Sequence, residues 1–329
     1  MLLAITLVLF TETGMFRSWA RDQIISAADS SLTARLTIGS IEGNIFSGWE
    51  FRDIALVADA GPIARFRSVV LRYKLWSLPW KRIEIDELTI NGLRPGPKGG
   101  TSGAWNIDNL VRDTTSSPKG GPEFDWRIIL RNVRLVDARI VVWDSTTQST
   151  ATREHFDTRH LDLDNMLLAM SADIRPGERH IAINDFRFRN NAGPVSLRSL
   201  SADLTSTRQR TAVELLSVRT QNSGILLSAS VDGADALSDT AFANLASRHF
   251  TAEVTALAVD TRELQYFLPS LAFLGGEPSF SLRVSGTMRE LEIGSLGLQV
   301  EGSEITFRGA LRDIDKGADM FIDVVSENT

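Results

Sequence analysis

Cysteine is absent from the 329 residues of this chain. That excludes disulfides, thiolate metal sites and a cysteine nucleophile, and leaves the compartment open. Histidine is scarce, represented only by His155, His160, His180 and His249. The spacing of His155 and His160 fits no standard zinc motif, so no metal centre is expected, and no cofactor. Basic blocks are missing as well. The 35 basic and 41 acidic residues are dispersed and give a net charge of -6, which disfavours nucleic acid as a partner.

Catalytic constellations are missing in the same way. The serine of "GTSGAWN" lies between glycines but is not followed by the strand–helix context of a nucleophile elbow. "EGSEITFRG" lacks the lysine and the following helix of a phosphate loop. In "LDLD", Asp162 and Asp164 face away from Leu161 and Leu163, and Asp86-Glu87 sits at a turn or on the polar side of a strand. A solvated face explains both pairs, and no enzymatic activity is expected.

A full-length membrane-spanning run is lacking too. "MLLAITLVLF" is apolar apart from Thr6, and Glu12 follows. As a helix those residues reach about 15 Å, half of a bilayer core of about 30 Å. No basic leader precedes them, so they do not read as a signal peptide. They read as the C-terminal half of a membrane anchor, residues 1–14, with a buried N-terminal element as the alternative. Residues 15–35 read as an amphipathic helix with Phe16, Trp19, Ala20, Gln23, Ile24, Ala27 and Ala28 on one stripe and Asp29-Ser30-Ser31 as its stop. Phe16, Trp19, Arg17 and Arg21 are candidates for a membrane interface, and packing on the first strands is the other reading.

What the chain does have is a period of two. Val69, Leu71 and Tyr73 fall on one face with Arg67, Arg72 and Lys74 largely on the other, and Leu282 and Val284, then Ile305 and Phe307, alternate with polar residues. In "KRIEIDELTINGL" the apolar phase slips by one residue between Ile85 and Leu88, which predicts a bulge. A stretch rich in proline and glycine interrupts the strands between Asn91 and Phe124. Short helices are expected after Ser238 and in "TRELQYFLPSLAFLGG", the latter interrupted at Pro269. A dozen or more short strands joined by turns make a meander too wide for an ordinary open sheet. Two solutions remain, a sandwich or barrel pair, or one strongly twisted sheet curling into a trough.

The order of several segments goes beyond generic strands. "IGSIEGNIFSGWEFRDIALV" (Ile38 to Val57) precedes "ARFRSVVLRYKLWSLPWKRIEIDELTINGLRP" (Ala64 to Pro95), and "GAWNIDNLV" (Gly103 to Val111) follows. This order resembles the N-terminal region of the AsmA-like superfamily, and within it the TamB (translocation and assembly module) group. The matching residues are Ile38-Gly39-Ser40, Asp53-Ile54, Val69 to Tyr73, Leu75 to Leu78, Ile83 to Ile90 and Ala104-Trp105-Asn106. The specific likeness covers residues 36 to 111, and beyond it the likeness is one of repeat style. The group's members are far longer and end in a distinct C-terminal domain, so the chain is expected to be an N-terminal piece.

The resemblance implies a mainly β fold: an elongated, twisted antiparallel sheet curling into a β-taco-like groove, with an N-terminal amphipathic helix and a few short helices. It implies a module over residues 36–113, a linker over 114–123 and a continuing groove over 124–329. It further implies a bacterial envelope protein, anchored in the inner membrane and mostly periplasmic. Such a protein would carry phospholipid toward the outer membrane, or assist outer-membrane protein assembly and secretion with a barrel partner. Ile225, Leu227, Val231, Leu282, Val284, Ile305 and Phe307 are the candidate groove positions. The alternatives are an assembly factor whose strand edges template a barrel, and a repetitive surface protein with a closed, dry core.

Overall fold

In a computed structural model the structure describes residues 13–58, 61–96, 98–99, 125–144, 156–157, 159–233, 247–267, 278–287, 289–300, 303–312 and 319–328. The half-length apolar run, the Gly103–Val111 segment, the 114–123 linker, the helix start at Ser238 and Pro269 lie outside the described residues. The chain is mainly β, and its strands make an open, mixed sheet that does not close into a barrel. It divides into two compact units, Met1–Thr152 with Asp157–Ser171 and Phe188–Ala192, and Arg153–Phe156 with Ala172–Arg187 and Gly193–Thr329.

The first unit begins with a helix, Gly14–Ser31, capped by the Thr13 side chain, which accepts from the Phe16 N–H at 3.2 Å. It ends at the predicted Asp29-Ser30-Ser31 stop. The predicted apolar stripe does not turn inward as a unit. No residue of the helix is buried, Trp19 and Ile24 stay exposed, and Phe16, Ala20, Ile25 and Ala28 share the half-buried side with Arg17 and Arg21. The aliphatic stems of the two arginines serve as apolar surface there, which a hydrophobic/charged tally overlooks.

Strands β1 (Arg35–Asn44), β2 (Gly48–Ala58), β3 (Gly61–Lys74) and β4 (Arg82–Asn91) follow as an antiparallel meander. Two-residue strands β5 (Arg94–Pro95) and β6 (Lys98–Gly99) lead to β7 (Arg127–Asp144). Here the expected all-antiparallel sheet needs correcting, because β7 pairs with β4 in parallel. A parallel partner needs a crossover of a dozen or more residues, and the proline- and glycine-rich sequence between β4 and β7 is long enough to supply one.

The slip between Ile85 and Leu88 is a β-bulge. Tyr73 opposes Ile85 and Leu71 opposes Leu88, leaving Asp86 as the extra residue. The bulge keeps Ile83, Ile85, Leu88 and Ile90 in step with the uninterrupted alternation of β3. A second device marks where the apolar phase changes again. Asp53 in β2 and Asp137 in β7 both adopt left-handed φ, 54° and 53°. Asp137 accepts from Arg67 Nη2 at 2.8 Å and from Arg94 Nη2 at 3.1 Å, tying β7 to β3 and β5.

Arg94 and Arg67 hold the Asp137 carboxyl below its ordinary value. A depressed carboxylate stabilises the fold above its unfolded pKa of about 3.8, and that contribution is lost as pH falls through the lower folded value. Asp137→Asn keeps a residue type that tolerates left-handed φ and removes only the charge. It should lower stability by at most about 1 kcal/mol at neutral pH, because the pair is partly solvated. Urea melts of wild type and variant should converge as the pH is taken below the folded value. Asp137→Ala should cost roughly 1 kcal/mol more at every pH, since alanine must also be held at positive φ.

In the second unit β8 (His160–Arg175) and β9 (Glu178–Asn190) contribute their 172–187 portion. There follow β10 (Leu197–Thr207), β11 (Arg210–Arg219), β12 (Gly224–Asp232), β13 (Phe250–Ala258), β14 (Ser279–Gly286), β15 (Glu290–Val300), β16 (Ser303–Arg312) and β17 (Asp319–Asn328). Each strand from β10 on pairs antiparallel with its successor, the predicted meander. Turns fall at Pro176-Gly177 and Asp232-Gly233, with both glycines at positive φ.

A short helix, Thr261–Phe267, occupies the first part of "TRELQYFLPSLAFLGG". Its Glu263 is buried and accepts from Ser223 Oγ at 2.6 Å, from the Asn222 N–H at 3.2 Å and from the Thr220 hydroxyl, pinning the β11–β12 turn. Glu263→Ala strands these donors, and a loss of about 2 kcal/mol in a denaturant melt is expected.

Candidate functional site: one apolar sheet face

The register of the second unit turns an alternating pattern into a surface. Directly opposed residues of antiparallel strands project to the same side of a sheet. Starting from Ala202 in β10, the ladder passes through Leu216, Leu227 and Val254 to Leu282, Leu296, Phe307 and Val324 in β17. Every member of that row is apolar. Two residues along each strand runs a second row, Leu200, Val218, Ile225, Ala256, Phe280, Leu298 and Ile305, ending on Ser326.

On the other side of the first row a third row passes from Leu204 through Val213, Ala229, Ala252, Val284, Ile293 and Gly309 to Ile322. A fourth contains Val231, Phe250, Leu291, Leu311 and Met320, with Ser206 and Thr211 at its β10–β11 end, where their hydroxyls satisfy each other at 2.7 Å. None of the four rows carries an ionisable side chain. With strands about 4.8 Å apart and same-face residues about 6.7 Å apart, these rows cover on the order of 700 Å². Contiguous apolar areas of that size mark binding surfaces in folded proteins when they are not covered.

All seven groove candidates fall on this face. Ile225 and Ile305 lie in one row, Leu227, Leu282 and Phe307 in the next, and Val284 and Val231 in the remaining two. None is fully buried, and each is half-exposed. Among the described residues of this unit, the close-packed apolar core reduces to small or local groups such as Ala212, Ala256, Val259 and Tyr266.

The opposite face is of another composition. One of its rows reads Ser201, Ser217, Leu226, Thr255, Ser281, Gly297 and Thr306, and a neighbouring row holds the Glu253–Arg283 ion pair at 2.9 Å. A shallow depression of about 350 Å³ lies over this polar side, floored by Ala212, Ser228 and Ser230 and walled by Arg210, Glu214 and Arg283. It follows from small side chains framed by long ones. Apolar residues do occur on this face, among them Leu226 and Leu215, both well exposed, and Phe321 and Val325 by their register in β17.

Two bulges keep the apolar rows in line. Glu214 is extra in β11 and Gly294 is extra in β15, each relative to both neighbouring strands. The double leucine of "VELLSV" is undecidable by alternation alone. The β11 bulge assigns Leu216 to the apolar row and sends Leu215 to solvent. Bulges also bend the strand and increase its twist.

The first unit carries a smaller apolar surface of the same kind. Ile41, Phe51, Val69, Ile90 and Leu135 form one row, and Trp49, Leu71, Leu88 and Val133 the next. Phe16 of the N-terminal helix stacks on Trp49 with centroids 6.1 Å apart, and Trp49 Nε1 donates to Tyr73 Oη at 3.1 Å. Burial pushes the Tyr73 hydroxyl pKa up, opposed by that hydrogen bond. Of the four interface candidates, Phe16 is therefore turned onto the sheet, Trp19 is exposed, and Arg17 and Arg21 are half-buried.

The polar residues are paired with one another. Asp162 binds Arg139 at 2.8 Å, which lowers its pKa, and Glu84 binds Lys74 and Arg131. His160 contacts Asp157 at 2.7 Å and His180 contacts Asp203 at 2.9 Å, whereas His155 lies outside the described residues. Among the described residues no group of acidic, histidine or cysteine side chains could hold a metal ion, and no helix is long and apolar enough to cross a membrane. No family model, no curated protein and no solved structure matches the chain.

Proposed function

We propose that this chain is a lipid-conducting protein of the bacterial envelope, and that the four apolar rows of the second unit are its conduit. The sheet curls into a trough, and phospholipid acyl chains occupy its apolar side while the headgroups stay in water. The protein is anchored in the inner membrane, projects into the periplasm and hands lipid toward the outer membrane, where a barrel protein is its partner. It acts by binding and shielding, with no chemistry of its own.

The observation that carries this reading is the unbroken apolar row from Ala202 to Phe307, half-exposed and free of ionisable groups. A closed sandwich core would bury these leucines and phenylalanines completely against a second layer. The bulges at Glu214 and Gly294 support curvature, and the segment order of residues 36–111 supports the kinship. Covering the face with acyl chains gains about 0.8 kcal/mol per buried methylene. Because no polar partner fixes a position along the rows, a chain can slide.

Gentle extraction of the full chain followed by lipid analysis tests the proposal. Stoichiometric phospholipid is expected. A lipid-free, monodisperse protein that takes up no phospholipid from vesicles would contradict it.

A further inference from the structure

The β3–β4 connection is a 3-10 turn, Leu75–Trp80, and it holds its largest side chains away from the protein. Trp76 is 75% exposed and Trp80 70%, with Leu78 also exposed. Tryptophan is highly buried on average in folded proteins, so two such side chains in one six-residue turn need a reason. The turn is not loose. Ser77 is buried, and its Oγ lies 2.7 Å from the Lys74 carbonyl and 2.8 Å from the Arg82 carbonyl. Lys81 closes the turn in the left-handed region, donating its N–H to the Leu78 carbonyl at 2.9 Å. A pinned backbone thus displays exposed apolar side chains.

The neighbouring elements show the same display. Phe46, in the β1–β2 turn, stacks on Trp76 at 6.4 Å. The N-terminal helix starts at this end of the unit, since Phe16 rests on Trp49 at the base of β2, and it exposes Trp19 by 55% and Met15 by 76%. The sequence ahead of this helix, Met1 to Phe10, is apolar apart from Thr6. Of the cations nearest the turn, Lys74 is paired with Glu84 and Asp86 and Lys81 with Asp125, while Arg82 is exposed beside them.

We infer that this end of the first unit is a bilayer-contacting surface that seats Trp76 and Trp80, with Trp19 beside them, at the headgroup–acyl boundary of a phospholipid membrane. Tryptophan suits that depth because its ring is apolar and its N–H is polar. The apolar sequence that precedes the helix favours a bilayer over a soluble partner as the occupant. With both lysines of the turn paired, the contact draws mainly on the rings, and a neutral lipid is enough for it. The inference is independent of lipid conduction by the second unit.

The test uses the full chain with phosphatidylcholine vesicles whose acyl chains carry bromine, which quenches tryptophan only on contact. Wild-type emission should be quenched at both low and high salt, and the fraction quenched should fall roughly twofold in W76F/W80F, because phenylalanine keeps the turn apolar but silent. Equal quenching in the two proteins would overturn the inference. So would lipid-independent protection of Trp76 and Trp80 from aqueous iodide, which would place a second copy of the chain or its own N-terminal segment over them.

Discussion

Aspartate at Leu227 or Leu282 should abolish lipid contact at that level of the sheet and leave the protein folded. The two leucines are neighbours in the first apolar row, joined through Val254. In a dry core each change would bury an unpaired carboxylate and cost well over about 4 kcal/mol, enough to unfold most domains. On a half-exposed face the carboxylate reaches water, and the expected cost is less than about 2 kcal/mol. Lipid binding responds differently. A leucine that contacts an acyl chain contributes about 1.5–3 kcal/mol, so each variant should lose at least about tenfold in lipid crosslinking. Circular dichroism and crosslinking on the same samples separate the outcomes. Loss of the β spectrum would mean that the face is sealed inside the protein.

Gly286→Ala should be the most destabilising single methyl addition in the second unit. Gly286 ends β14 at φ 133°, where residues with a Cβ are strained, and an added Cβ would overlap the carbonyl oxygen of Glu290. Strain and overlap together are expected to cost about 3 kcal/mol or more. Gly224→Ala is the control, since a Cβ there meets nothing within 4 Å, and its melt should match or slightly exceed wild type. The failure of Gly286→Ala should also be functional. Gly286 opposes Leu291 and sets the β14–β15 register, and a slip of one residue would turn a strand's apolar side chains to the polar face. A Gly286→Ala protein as stable as wild type would show that this turn does not fix the register.

Much of the sheet was legible because a period of two is written plainly where one face is apolar and the other polar. The runs around Leu227, Leu282 and Phe307 announce both strand and face, and the Asp86 bulge announces itself as a phase slip. Other features were hidden for physical reasons. Alternation says nothing about strand direction, so the parallel β4–β7 pairing could not be read from Ile83 to Ile90. Two adjacent leucines carry no phase, so Leu216 was not singled out until its bulge placed it. The inward side of the N-terminal helix includes Arg17 and Arg21, whose long apolar stems a charge-based stripe excludes. Trp76 and Trp80 could not be singled out, because nothing in sequence distinguishes a tryptophan that packs from one displayed on a pinned turn.

The most direct measurement is a comparison of photo-crosslinker positions on the two faces of the same strands. Crosslinkers at Leu227, Leu282 and Phe307 should capture phospholipid, whereas those at Ser228, Ser281 and Thr306, one residue away on the polar side, should not. Capture from both faces alike, or from neither, would contradict an apolar conduit in the second unit.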